Sequence, residues 1–287
     1  MAAKLAGSAW VRGVRREWTV SARAWERWEP ELVASLSAVD PHLFRALELA
    51  PGHRVLDFGC GSGEPTLALA PLVAPGQVVG VDLSAPMLAT ARRRARLRHS
   101  DNVRFLCGDI ARMRLPGRFD RVLSRYGLMF VDDIPLTLDR IRRAMKPGGR
   151  IALAVWGPPE SNAWIQARAF AARPFLKAPP PDPEHSPGPL RLARRGLLSR
   201  HLRRAGFEKV RARPAHVPLV YSSTDDYFEY SFQARGPMME LYESLTGGQR
   251  AILRRRMRRA LAPYVDGTLV RLPALAWVVS GVKASRT

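Results

Sequence analysis

Lysine and cysteine are scarce in this chain of 287 residues. Only five of its 46 basic residues are lysines, and Cys60 and Cys107 are its only cysteines. Two cysteines are too few for a disulfide framework or for a zinc site with four cysteine ligands, so we expect both to be small buried residues. A nucleophilic thiol is the functional alternative.

Long apolar runs are also missing. No stretch reaches the roughly 18 apolar residues that a membrane-spanning helix needs. The first 14 residues contain neither a long apolar core nor a small-residue cleavage site of the kind that ends a secretory signal. We therefore expect a cytoplasmic protein without a membrane span.

Positive charge is abundant, with a formal net charge of +21, and it resides mainly on arginine. The arginines concentrate where apolar and charged residues alternate, as on the solvated faces of amphipathic helices. The skew from lysine to arginine also fits the codon bias of a GC-rich genome. A phosphate-bearing partner such as RNA, or an acidic substrate, is the alternative interpretation. The clusters lie at Arg92 to Arg98, Arg140 to Arg143, Arg191 to Arg204 and Arg254 to Arg259.

A short apolar run followed by three alternating glycines is the strongest local pattern. Val55 to Phe58 is typical of a buried parallel strand, and Gly59, Gly61 and Gly63 follow it directly. Glycine can adopt a positive φ and lets a ligand lie against the backbone, while the next helix offers unpaired N–H groups. The pattern therefore predicts a strand, a tight turn and a helix start that bind a nucleotide-like ligand.

The order hydrophobic-Leu-Asp-x-Gly-x-Gly-x-Gly at 55–63 resembles the first motif of class I S-adenosylmethionine (SAM)-dependent methyltransferases. The run Ser124 to Phe130 resembles a loop of their UbiE/COQ5-like small-molecule group, and Lys146 to Gly149 matches a further motif of that group. The resemblance covers about residues 22–165. It implies an α/β fold with a Rossmann-like, mostly parallel sheet of seven strands, the last one antiparallel, and helices on both faces.

The same resemblance implies how SAM is bound. Asp82 ends the second strand, where a carboxylate can accept hydrogen bonds from both ribose hydroxyls, and Ser84 is expected to cap the next helix in its place. Asp109 would bond the adenine amino group and Ile110 would pack on the ring, although a structural role of Asp109 in a turn is the alternative. The predicted cofactor contacts are Asp57, Gly59, Cys60, Gly61, Gly63, Asp82, Leu83, Met87, Gly108, Asp109, Ile110, Ser124 and Arg125.

The sequence indicates the residues that would contact the methyl acceptor less clearly than those that would contact SAM. Trp25 and Trp28 are three residues apart and share one face of an expected helix, which would close over the cofactor as a lid or simply pack on the core. Tyr126 is a weak candidate for a base, and no other catalytic group is assigned. The predicted acceptor contacts are Trp25, Trp28, Tyr126, Met129 and Trp156.

We divide the chain into a helical lid (1–50), a SAM-binding core (51–221), a helical cap (222–265) and a last core strand (266–287). The core includes a segment with seven prolines at 173–189, expected to be a loop over the mouth of the site. A helix is expected from Leu190 to Ala205, and two helices in the cap, between Thr224 and Ala262.

These patterns predict a SAM-dependent methyltransferase that acts on a small aromatic, polyketide-like or quinone-type metabolite. Asp132 and Asp133 have no companion ligands nearby in the sequence, so no metal is expected. An RNA methyltransferase, or a non-catalytic binding protein of the same fold, is the alternative. The oligomeric state stays open, with a homodimer as one option.

Overall fold

A computed structural model of the chain describes residues 8–28, 33, 35–178, 182–233 and 237–285. Parts of four expected features lie outside the described residues. These parts are 1–7, 29–32 and 34 of the lid, 179–181 of the proline-rich loop, 234–236 in the cap, where Gly236 belongs to an expected break, and 286–287 of the last core strand.

The described residues form helices and strands in alternation, followed by a helical segment and a long final strand. The strands are β1 (Arg54–Phe58), β2 (Gln77–Asp82), β3 (Val103–Cys107), β4 (Phe119–Arg125), β5 (Met145–Trp156), β6 (Phe207–Tyr221), β7 (Val265–Asp266) and β8 (Leu269–Lys283). The helices are α1 (Ala9–Arg27), α2 (Asp40–Leu47), α3 (Glu64–Val73), α4 (Ala85–Leu97), α5 (Ile134–Ala144), α6 (Ala163–Ala172), α7 (Leu197–Arg204), α8 (Thr224–Gln233), α9 (Pro237–Ser244) and α10 (Gly247–Leu261).

The strands form one sheet in the order β3-β2-β1-β4-β5-β8-β6, with the short β7 paired to β8. Neighbours from β3 to β5 are parallel, whereas β8 runs antiparallel to β5 and to β6. Strand β1 lies inside the sheet between β2 and β4, and its apolar residues suit burial on both faces. The expected Rossmann-like fold is confirmed, with β8 as the antiparallel strand.

The sheet order brings the ends of β1, β2 and β4 to one edge. Gly63, with φ of 90°, starts α3 directly after β1. Ser84 caps α4, since its Oγ accepts a hydrogen bond from the Met87 N–H at 3.4 Å. Ligands of open α/β sheets bind outside the carboxyl ends of the strands, so this edge is where a site is expected.

Two expectations about helices are wrong. The helix expected over Leu190 to Ala205 begins only at Leu197, because Gly196 has φ of 81°, a left-handed conformation that an α-helix cannot contain. The cap contains three helices where two were expected. Thr246 is the N-cap of the third helix and forms a capping box with Gln249. The expected break at this position therefore ends one helix and begins another.

Two further features concern the ends of β5. The Lys146 to Gly149 run, which matches a motif of the family, belongs to the start of β5. Helix α6 follows β5 and was not indicated by the sequence pattern, although its many alanines are good helix formers. No described helix is both long and apolar enough to cross a membrane.

Candidate cofactor site

The glycine turn after β1 has the geometry that its sequence demands. Gly59, Gly61 and Gly63 have φ of 68°, 54° and 90°. A Cβ on Gly59 would lie 2.8 Å from the Cα of Gly127, so the turns after β1 and β4 pack backbone to backbone. A Cβ on Gly61 would meet no atom within 4 Å. The turn is therefore packed on one side and open above Gly61.

The Asp82 carboxylate faces this turn from the end of β2. Its Oδ2 accepts a hydrogen bond from the Gly61 N–H at 2.9 Å, and its Oδ1 accepts one from the Ser84 N–H at 2.8 Å. Each carboxylate oxygen can accept a second bond, so both ribose hydroxyls of a nucleoside could still be bound. Burial raises the pKa of Asp82, while the N–H groups of Ser84, Gly61 and Leu83 oppose that rise.

Asp57 lies beneath the turn and is fully buried. The Thr66 hydroxyl donates to its Oδ2 at 2.6 Å, and its Oδ1 has no hydrogen-bond partner in the described structure. Burial raises the pKa of Asp57 to about 7, although the Thr66 bond and the charge of Arg125 lower it. Asp57 is therefore a carboxyl group that gains and loses its proton near neutral pH.

The turn after β3 borders Asp82 on the other side. The Gly108 N–H donates to the Asp82 backbone oxygen at 2.9 Å. Asp109 Oδ1 accepts from the Ala111 N–H at 2.9 Å, and its Oδ2 is buried without a hydrogen bond, 3.4 Å from Arg112 Nε. Asp109 thus stabilises its own turn with one oxygen, while the other accepts no hydrogen bond and lies in a charge pair with Arg112.

The remaining predicted cofactor contacts surround these turns. Ile110, Met87 and Cys60 are buried, and Leu83 is half-buried. Burial, together with the charges of Asp82 and Asp57, holds the pKa of the Cys60 thiol well above its usual value. A nucleophilic role of Cys60 is disfavoured, since the thiolate is the reactive form.

The end of β4 contains an ion pair that was not expected. Arg125 Nη1 lies 2.8 Å from Asp40 Oδ2, and both side chains are about 10% exposed or less. Burial raises the pKa of Asp40, and Arg125 opposes that rise. The sequence offers no local signal for this pair, because 85 residues separate its members. Ser124, next to Arg125, donates from Oγ to the Phe58 oxygen at 2.8 Å.

Tyr126 follows Arg125 with φ of 61°, which is unusual for a residue with a side chain. Its ring stacks on Trp156 with centroids 4.3 Å apart and planes 10° apart. Its hydroxyl is buried and has no hydrogen-bond partner among the described residues. Burial raises its pKa, so the phenol is better suited to donate a hydrogen bond than to act as a base. Met129, in the same loop, is fully buried.

Helix α1 docks on the loop after β4 through two tryptophans that are not among the predicted acceptor contacts. The indole N–H of Trp10 donates to the Phe130 oxygen at 3.0 Å, and Trp18 meets the Phe130 ring edge-on at 5.3 Å. Trp25 lies 5.6 Å from Trp18, and Trp28 lies 6.4 Å from Tyr230 in the cap. The spacings of eight and seven residues between Trp10, Trp18 and Trp25 place them on one helix face, a signal that the sequence does contain.

The described residues contain no group of three or more His, Cys, Asp or Glu side chains that could hold a metal ion. Asp132 and Asp133, the adjacent carboxylates that were considered as metal ligands, make other contacts. Asp133 caps α5 by accepting from the Leu136 N–H at 2.8 Å, and Asp132 accepts a hydrogen bond from Ser8.

Comparison with known proteins agrees with this geometry. Residues 55–149 match a family model described as a methyltransferase domain. A demethylmenaquinone methyltransferase of Symbiobacterium thermophilum is 40% identical over 134 residues, which are 46% of this chain and 49% of that protein. A 2-phytyl-1,4-naphtoquinone methyltransferase of Thermosynechococcus vestitus is 39% identical over 122 residues, 42% of this chain and 53% of that protein. The chain thus spans about half the length of these curated relatives.

The fold has relatives over nearly the whole chain. A geranyl diphosphate C-methyltransferase of Streptomyces coelicolor, solved with Mg²⁺, geranyl diphosphate and S-adenosyl-L-homocysteine, superposes with a TM-score of 0.55 and covers 97% of this chain and 99% of that one. Its sequence is 18% identical, so this likeness shows the fold alone. The sequence matches therefore show a methyltransferase domain over residues 55–149, similar to that of quinone methyltransferases of the UbiE-like type.

Proposed function

We propose that this protein transfers a methyl group from SAM to a small quinone-type acceptor. One observation supports this most strongly: the Asp82 carboxylate lies beside Gly61, at an open space above the glycine turn. A nucleoside placed there would meet a carboxylate for its ribose and a backbone without side chains for its remaining atoms.

The residues present fit SAM. The open space above Gly61 and the Asp109 Oδ2, which accepts no hydrogen bond but pairs with Arg112, are features that an adenosine ligand would use. When bound, SAM supplies an electrophilic methyl group on its sulfonium. Asp82 would hold the ribose, Asp109 and Ile110 the adenine, and α1 would exclude water through Trp10 and Trp18. Well-oriented reactants gain about 7–11 kcal/mol from positioning, so binding geometry is the main contribution of the protein.

The acceptor would lie at the ends of β4 and β5. Tyr126 and Trp156 form a stacked aromatic pair there, a surface that suits a flat ring. The Tyr126 hydroxyl without a partner could donate to an acceptor oxygen. The relatives whose names include demethylmenaquinone and naphtoquinone favour a quinone-type ring over other flat acceptors.

The test is methyl transfer with SAM labelled at the methyl group and 1,4-naphthohydroquinone, or an organic extract of host cells, as the acceptor. We expect a labelled organic product together with S-adenosylhomocysteine, and neither when the acceptor is left out. If SAM binds but no acceptor in either source is labelled, the protein is a binding protein and the proposed activity is wrong. Labelling of host RNA with no labelled metabolite would favour the RNA methyltransferase instead.

A further inference from the structure

Arg168 in α6 is enclosed by aromatic rings. Its Cζ lies 5.0 Å from the centroid of Trp164, 5.7 Å from that of Tyr227 and 5.5 Å from that of Tyr230. Its Nε donates to the Ser231 hydroxyl at 3.1 Å. Arg168 as a whole residue is half-buried.

No described carboxylate pairs with Arg168, and this is unusual for an enclosed cation. Arg254 provides the contrast, since it lies 4.3 Å from the Phe228 ring and also pairs with Asp225 at 2.7 Å. A guanidinium does not lose its proton in proteins, so Arg168 keeps its charge. The groups around it are ring faces and the neutral hydroxyls of Ser231, Tyr227 and Tyr230, so no described neighbour carries a negative charge that an anion would supply.

The cage is continuous with the predicted acceptor region. Tyr126 stacks on Trp156 at 4.3 Å, Trp156 meets Trp164 at 5.3 Å, and Trp164 contacts Arg168. A series of contacting aromatic rings therefore connects the end of β4, where methyl transfer is proposed, to a positive charge in α6 that has no carboxylate partner among the described residues. The cap helix α8 closes the far side with Tyr227 and Tyr230.

We infer that Arg168 binds an anionic oxygen group of the acceptor, so that the acceptor is a flat aromatic compound carrying a carboxylate or a phosphate. Its ring would lie along the wall of Trp156 and Trp164, and its anion would meet the guanidinium, whose planar fork matches such groups. This inference rests on the proposed function for the identity of the site.

The test compares three probes that share a naphthalene ring: 1-hydroxy-2-naphthoate, 1-naphthyl phosphate and the uncharged 1-naphthol. Their binding to the protein loaded with S-adenosylhomocysteine is measured by calorimetry. We expect at least one anionic probe to bind about tenfold or more tighter than 1-naphthol, and the tighter of the two identifies the anion. Equal affinities, or no binding of either anion, would overturn the inference.

Variants assign the preference to this residue. Arg168→Gln should abolish the preference and leave 1-naphthol affinity unchanged, while Arg168→Lys should retain part of it. Arg256→Gln is the matched control, because Arg256 lies 4.5 Å from the Phe170 ring but bonds backbone oxygens outside the cage. A preference that survives in Arg168→Gln would contradict the inference.

The failure of this inference can be told apart from failure of the proposed function. If Arg168 mainly held the three rings in place, Arg168→Gln would have a lower melting temperature than the wild type. A melting temperature close to that of the wild type would show that Arg168 has no such structural role. Methyl transfer to naphthohydroquinone with no preference for anions would disprove the role of Arg168 alone. Absence of S-adenosylhomocysteine binding would disprove the proposed function, and with it the inference.

Discussion

Four of the eight buried side-chain polar atoms without a hydrogen bond among the described residues lie at the candidate site, and the other four are arginine Nε atoms. A buried group that lacks a hydrogen bond costs about 1–3 kcal/mol, so such groups are rare unless a ligand or water completes them. Their position at the carboxyl edge of β1, β3 and β4 is the strongest residue-level sign of a binding function. Those at the site are Asp40 Oδ1, Asp57 Oδ1, Asp109 Oδ2 and the Tyr126 hydroxyl.

The raised pKa of Asp57 predicts a dependence of stability on pH. The unfolded chain ionises Asp57 near its ordinary pKa of 3.8, and the folded chain does so only at about 7. The folded state is therefore penalised as pH rises from about 4 to about 7, by a few kcal/mol at most. Asp57→Asn cannot ionise, so its free energy of unfolding relative to wild type should increase over this range.

Urea unfolding at about pH 5 and about pH 8 measures this difference. Asp101→Asn, which changes an exposed carboxylate in a turn, controls for the loss of one negative charge. A difference between Asp57→Asn and wild type that is the same at both pH values would show that Asp57 ionises normally in the folded protein.

Two buried tyrosines should respond differently to loss of the hydroxyl. Tyr227 donates to the Trp164 oxygen at 2.6 Å, so Tyr227→Phe should lose about 1–2 kcal/mol of stability. The Tyr126 hydroxyl has no partner in the described structure, so Tyr126→Phe should keep or slightly gain stability. Thermal unfolding checks both. A clear loss in Tyr126→Phe would mean that its hydroxyl is already bonded in the free protein.

At the scale of elements, the site depends on how closely two turns approach. The turn after β1 and the turn after β4 meet at Gly59 and Gly127, where a Cβ on either residue would overlap the other backbone. Only glycine allows this contact. The first turn is recognisable in the sequence, but its contact with Gly127 is not. The contact joins the ends of β1 and β4, which lie 66 residues apart in the sequence and become neighbours only in the sheet.

This contact predicts unequal effects of two alanine substitutions. Gly61→Ala should cost only the strain of a positive φ, about 1–2 kcal/mol. Gly59→Ala adds the overlap with Gly127 and should cost about 1–3 kcal/mol more. Gly61→Ala should instead weaken SAM binding, since its Cβ enters the open space. Equal melting temperatures for the two variants would show that the turns separate freely.

Elements with local signals at their ends were predictable from the sequence. The strand, turn and helix from Val55 to Val73 and the Ser84 cap follow from residue types within a few positions of each other. The start of α7 was not predictable from periodicity, because its apolar pattern continues before Gly196 and only the backbone angle shows the break. The ion pair of Asp40 with Arg125 and the cage around Arg168 could not be predicted from the sequence, because they join segments that are far apart in the chain.

At the scale of the whole molecule, part of the arginine excess serves the fold. Several guanidinium groups donate to backbone oxygens of neighbouring segments, a use for which five donors in a planar fork are well suited. A net charge of +21 therefore does not require a nucleic-acid partner. The arginines with such bonds include Arg92, Arg94, Arg121, Arg140, Arg191, Arg250 and Arg256.

The central claim is that the carboxyl edge of the sheet binds SAM through Asp82, and calorimetric titration with SAM tests it most directly. The comparison is between wild type, Asp82→Asn and Asp82→Ala, with Asp101→Ala as a control carboxylate remote from the glycine turn. We predict that wild type and the control bind SAM with equal affinity. Both Asp82 variants should bind SAM at least about tenfold more weakly, a loss of about 1.4 kcal/mol of binding free energy. Folded Asp82 variants that bind SAM as tightly as the wild type would contradict the central claim.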